Sequence, residues 1–74
     1  MTLNDAELLK EYIIEKISAN DEELESFLFS LGCYAGEKIT VVAKRNGTCV
    51  VAIKDARYSI DTALAQEISI YPIG

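Results

Sequence analysis

The chain contains no histidine, and only two cysteines among its 74 residues. Without imidazole the usual general base and the commonest metal ligand are both missing, and Cys33 and Cys49 are too far apart for a CxxC spacing, which argues against a structural zinc site. Phosphate and nucleophile motifs of the types GxxxxGK[ST], GxGxxG and GxSxG are absent as well. The chain is therefore expected not to be an enzyme, and no catalytic residue, cofactor or metal site is assigned. No run reaches the roughly 20 apolar residues that cross a bilayer. The opening Met1-Thr2-Leu3-Asn4-Asp5 lacks the basic and apolar regions of a signal peptide, so a cytoplasmic location is expected.

What is present is a high apolar content, 50% of residues, on a net charge of −5. That charge is unevenly spread. Residues 1–37 carry nine acids and two bases, residues 38–57 carry five bases and one acid, and residues 58–74 add two acids. An acidic N-terminal side and a basic central edge, comprising Lys38, Lys44, Arg45, Lys54 and Arg57, are the expected result. A net negative chain without a row of stacking aromatics is a poor nucleic-acid ligand, and none is expected.

The periodicity predicts one domain, residues 1–74, built mainly of short strands. Residues 3–9 form an apolar lead-in whose state stays open. Residues 11–18 are β-branched enough for a strand, with imperfect alternation that a bulge near Glu15 or Lys16 would repair by bringing Ile14 and Ile17 to one face. Asn20 is expected to cap a helix, with Glu23 three residues on. Leu24, Phe27, Leu28 and Leu31 then repeat at helical spacing, and Gly32 ends the stripe. The acids Asp21, Glu22, Glu23 and Glu25 suit the positive end of that helix. Phe29 falls on the opposite side and is the best candidate for a partner contact.

Residues 38–45 alternate Ile39, Val41 and Ala43, and residues 48–54 alternate Cys49, Val51 and Ile53; Asn46-Gly47 between them is a hairpin signal of type I′. Cys49 is expected to be buried, and Cys33 has room to be the more exposed thiol. Asp55-Ala56 turns into a strand at residues 57–61, with Tyr58 and Ile60 on one face. Asp61 or Thr62 caps a single helical turn, and a last strand at residues 67–71 points Ile68 and Ile70 inward before Pro72 ends it. Five short strands, one helix after the first and a helical turn before the last fit a small closed or nearly closed barrel best.

In this order of elements, the run Leu31-Gly32-Cys33-Tyr34-Ala35-Gly36-Glu37-Lys38-Ile39-Thr40-Val41-Val42 resembles the glycine loop and following strand of the ferrous iron transport protein A (FeoA) family. Thr2-Leu3, Glu15-Lys16-Ile17, Tyr58-Ser59-Ile60, Ala65 and Ile68 fall where that family has its other landmarks. Ala35 stands where the family has proline, the Arg45-Asn46-Gly47-Thr48 tip is short, and the helix is acidic where relatives carry arginines. The resemblance implies an SH3-like five-stranded barrel and a cytosolic adaptor of bacterial ferrous iron uptake that binds and modulates the membrane GTPase transporter, touching the membrane only through it. The surface proposed to meet that partner is either Phe29 with neighbouring helix residues or the basic hairpin Lys44-Arg45. The alternative is an SH3-like regulatory module akin to the C-terminal domain of metal-dependent transcriptional repressors. The oligomeric state is left open.

Overall fold

In a computed structural model the structure describes residues 1–18 and 20–73. Five strands, β1 (Glu11–Ile17), β2 (Lys38–Arg45), β3 (Thr48–Ile53), β4 (Ala56–Asp61) and β5 (Ile68–Pro72), form one antiparallel sheet in the order β4-β3-β2-β1-β5. Helix α1 (Glu22–Ser30) follows β1, the short helix α2 (Thr62–Ala65) links β4 to β5, and the open N-terminal segment resolves into a 3-10 turn at Leu3–Asp5.

The expected barrel does not close. No ladder joins β4 to β5; α2 occupies the step between them and packs against the 3-10 turn, β3 and β4. After α2 the chain crosses to pair β5 with β1, so the sheet curls without closing, and the 3-10 turn contributes the fully buried Leu3 to the interior. Curling comes from two bulges. One lies between Ile14 and Lys16, where the sequence places it, and a second lies between Val41 and Ala43 in β2. Tyr12, Ile14, Ile39, Val41, Cys49, Val51, Ile53, Ile60, Ile68 and Ile70 then share one buried cluster. Tyr12 is buried whole because its hydroxyl accepts the Glu7 amide at 3.0 Å.

Helix α1 begins one residue later than expected. Asp21, not Asn20, is the cap, and its Oδ1 accepts the amides of Glu23 at 3.0 Å and Leu24 at 3.3 Å. The apolar stripe is also narrower than the spacing suggests: Leu28 is buried, Leu24 and Leu31 are half-buried, and Phe27 is 55% exposed. Successive residues are turned by about 100° on a helix, so burying Leu28 leaves both Phe27 and Phe29 to its sides. The helix ends in a Schellman arrangement. Cys33 N–H donates to the Leu28 carbonyl at 2.9 Å and Gly32 N–H to the Phe29 carbonyl at 3.0 Å, with Gly32 at φ +87 and the buried Cys33 lying beside Leu28 in the core.

Two turns differ in detail. In the β2–β3 hairpin only Gly47 takes positive φ, at +75, so the turn is not type I′; one glycine at its second position suffices to reverse the chain. The β3–β4 turn is Lys54-Asp55 rather than Asp55-Ala56, since Ala56 already pairs with Ile53, and Lys54 itself adopts φ +56.

Three substitutions check this reading by urea denaturation. Asp21→Ala should cost about 1 kcal/mol of stability, while Asn20→Ala should leave it unchanged. Gly32→Ala should cost about 1–2 kcal/mol through left-handed strain, with the new Cβ also meeting Ile53 Cγ2 at 3.4 Å.

Candidate functional site

The Schellman turn and the β3–β4 turn meet at one corner of the sheet. After Gly32 the loop is held to β1 by two backbone bonds, Gly36 N–H to the Ile14 carbonyl at 2.8 Å and Ile14 N–H to the Glu37 carbonyl at 2.9 Å. That fixes Tyr34 between α1 and the end of β3. Its ring lies against Phe29, centroids 4.8 Å apart and planes tilted by 32°, a separation within the range of favourable aromatic pairs. Lys54, pushed into left-handed backbone just past Ile53, runs its stem over Gly32, where any Cβ would sit 3.6 Å from its Cδ and Cε.

The Lys54 ammonium donates to the Tyr34 hydroxyl at 3.2 Å, lies 5.5 Å from that ring's centroid and is 4.0 Å from the Glu37 carboxylate. The hydroxyl above all, then Glu37, raises its pKa above the ordinary lysine value. Phe29, Tyr34, Lys54 and Glu37 thus make a continuous row whose outermost ring, Phe29, is 64% exposed. Beside it runs an open groove of about 370 Å³ into which Glu11, Glu37, Lys38 and Lys54 bring charges of both signs. This half of the expected basic edge is therefore locally balanced.

The two alternative partner surfaces that the sequence offers, Phe29 with its helix neighbours and the hairpin Lys44-Arg45, lie at opposite ends of β3. Phe29 lies at the Ile53 end of β3, while Lys44 and Arg45 lie at its Thr48 end, five strand steps or roughly 17 Å away. Lys44 is also spent: its ammonium donates to the carbonyls of Ala6 at 2.8 Å and Asn4 at 3.2 Å, tying the 3-10 turn to β2. Arg45 stays exposed at the hairpin tip. Tyr34 and Glu37 carry no sequence signal beyond an aromatic flanked by Gly32 and Gly36, and Lys54 stands out in the sequence only as a member of the basic edge. Among the described residues no three of cysteine, aspartate or glutamate come together as a metal-holding group, and no helix is long and apolar enough to cross a membrane.

Comparison with known proteins gives a family match, to the FeoA domain over residues 1–72. No curated protein matches the sequence. Among solved structures, the Stenotrophomonas maltophilia FeoA complexed with zinc, described as a prokaryotic SH3 domain protein, is 21% identical with a TM-score of 0.82, covering 95% of this chain and 88% of that one. An iron uptake regulatory protein, also a FeoA, is 20% identical at a TM-score of 0.81, covering 96% of both chains. A manganese-dependent transcriptional repressor is 23% identical at a TM-score of 0.88, with 99% of this chain matched to 41% of the repressor. The chain thus spans less than half the length of the repressor, and the likeness is one of fold.

Both cysteines lie inside rather than at this surface. Cys33 is 2% exposed, against the expectation of a freer thiol, because the Schellman bond of its N–H to the Leu28 carbonyl turns the chain back into the core. Burial lifts its pKa from 9.0 to about 11. The unfolded thiol ionises first on raising the pH, so the unfolded state is favoured between those two values and the stability held below pH 9 is lost toward 11. Wild type should lose on the order of 2–3 kcal/mol more than Cys33→Ala across that window, read as the difference in urea midpoints at each pH.

Proposed function

The chain belongs to the FeoA domain family, and from that premise we propose that it is a non-catalytic accessory domain of bacterial ferrous iron uptake that docks the cytosolic part of the membrane GTPase transporter. The observation that carries this reading is Phe29, a ring 64% exposed yet fixed against Tyr34 and, through Tyr34, against Lys54. An exposed aromatic usually loses rotamer freedom when a partner covers it; one already stacked has less to lose, which is what makes rigid aromatics good binding anchors.

Phe29 shares its helical face with Glu25 and Glu22, four and seven residues back. The surface it presents is an apolar ring on an acidic slope, at the negative end of the lopsided charge distribution. Its complement is an apolar socket rimmed by lysine or arginine, and the acids would steer the approach more than they would hold the complex. Arg45, at the end of β2 beside Thr48, lies outside this footprint. The zinc-bound FeoA structure supports the family's link to metal transport, and a regulatory module within a repressor-like protein is the second reading, favoured by the repressor's TM-score of 0.88.

Titration of the purified chain with the transporter's isolated cytosolic GTPase domain tests the proposal. Phe29→Asp should weaken binding at least about tenfold, as expected of an anchoring aromatic, whereas Arg45→Glu should change it little. Absence of binding by the wild type, or equal binding by Phe29→Asp, would overturn the docking surface.

A further inference from the structure

The two edges of the sheet are treated differently. Along β5 the first residues lie as a short added strand: Ile70 N–H donates to the Met1 carbonyl at 2.9 Å and Thr2 bridges Ser69 in antiparallel fashion. Along β4 nothing comparable occurs among the described residues, and its one ladder is with β3. The parity of that ladder is fixed at both ends. The two-residue turn Lys54-Asp55 closes on the pair Ile53 and Ala56, and Thr62 N–H donates to the Gly47 carbonyl at 3.1 Å. Ala56, Tyr58 and Ile60 therefore turn their backbone groups toward β3, and Arg57, Ser59 and Asp61 turn theirs outward.

We propose that β4 is a self-association edge, pairing antiparallel with β4 of a second copy about a two-fold axis at Ser59. Charge selects both the occupant and the register. With Ser59 opposite Ser59, Arg57 of each copy lies opposite Asp61 of the other on the exposed face, and Tyr58 lies opposite Ile60. Asp61 caps α2 through Oδ1, which accepts from Leu64 N–H at 2.7 Å, and Oδ2 is left for the arginine. Sliding one strand by two residues toward the turn sets Asp55 against Asp61; sliding it the other way carries Arg57 past the end of the strand.

The chain as a whole carries −5 and repels its copies, whereas β4 holds one charge of each sign and is complementary to itself. Edge charges ordinarily protect a strand from promiscuous pairing; a reversed pair at equal distances from the centre admits one partner. The contact is short, about five paired residues, well under the area of stable complexes. The dimer is accordingly weak and appears as concentration rises.

Sedimentation equilibrium of the whole chain over a wide concentration range, with amide hydrogen exchange at each, tests this. The expected result is a monomer–dimer equilibrium in which, of the β4 amides, those of Arg57, Ser59 and Asp61 gain protection with concentration. Arg57→Glu, which turns two cross-strand ion pairs into like-charge pairs, should weaken it about tenfold. Ser59→Pro, which removes an outward N–H without touching the β3 ladder, should abolish it, and the Arg57 variant decides the matter if the proline variant misfolds. A monomer at every concentration, an association unmoved by Arg57→Glu, or protection gained at another edge would overturn the proposal.

Discussion

A single five-stranded sheet can shelter its apolar face only by folding over on itself, and the rest of this molecule follows from how it does so. A chain of this size buries about 60% of the surface its unfolded form exposes, so a flat sheet facing water would leave too little area removed from solvent to hold it. The bulges at Ile14/Lys16 and Val41/Ala43 supply the bend. Each inserts an extra residue that tightens the local twist. With both in place, side chains from all five strands reach one another, and the 3-10 turn, α1 and α2 close the ends with Leu3, Leu28 and Ala65.

Bending a strand has a consequence for its backbone, because polar groups at or near a bulge lose their ladder partners and a buried one left unpaired is costly. Here several such groups are met by neighbouring segments. Leu9 N–H donates to the Val41 carbonyl at 2.8 Å, holding Leu9 at φ +65, and Ser18 N–H reaches the Glu67 carbonyl at 2.8 Å. Gly36 and Glu37 satisfy Ile14 from the side of β2. The last of these matters most for the surface. By fixing the loop after α1 to β1, it sets Tyr34 where Phe29 can stack on it and Lys54 can reach its hydroxyl, so the aromatic corner is positioned by the same bonds that repair the curl.

Sequence pattern foretold the elements whose signals are local. The first bulge was legible because Ile14 and Ile17 have opposite parity in an unbroken strand and cannot otherwise share a face. The second was not: Val42 and Ala43 are both apolar, so a shift between them leaves no mark on the alternation. Phe29 was legible from helical spacing alone, and Phe27 was misplaced because spacing gives the direction of a face but not its width, which here narrows to Leu28. Asp21 took the cap from Asn20 although both types cap well, a one-residue choice made by where the chain leaves β1. Lys54 and Tyr34 depend on two loops meeting in space, and the left-handed φ of Lys54 has no counterpart in its residue type. Barrel closure likewise turned on the path of four residues, Thr62–Ala65, not on strand count.

Solved structures only 20–23% identical superpose on nearly the whole chain, and the physics of the interior explains why. Isoleucine, valine and leucine exchange at core positions for small differences in volume, provided that the total is kept, so a curled sheet of this kind tolerates wide divergence without changing shape. Its fold serves free-standing FeoA proteins and part of a much longer repressor alike, and cannot by itself specify a partner. Specificity has to reside in side chains that folding does not need. Lys44 fails that test, being occupied with the carbonyls of Asn4 and Ala6. Phe29 and Glu25 come nearer to it: replacing either on the outer face of α1 leaves Leu28, the Asp21 cap and the Schellman turn in place, so under the proposed docking they are where a partner would be read.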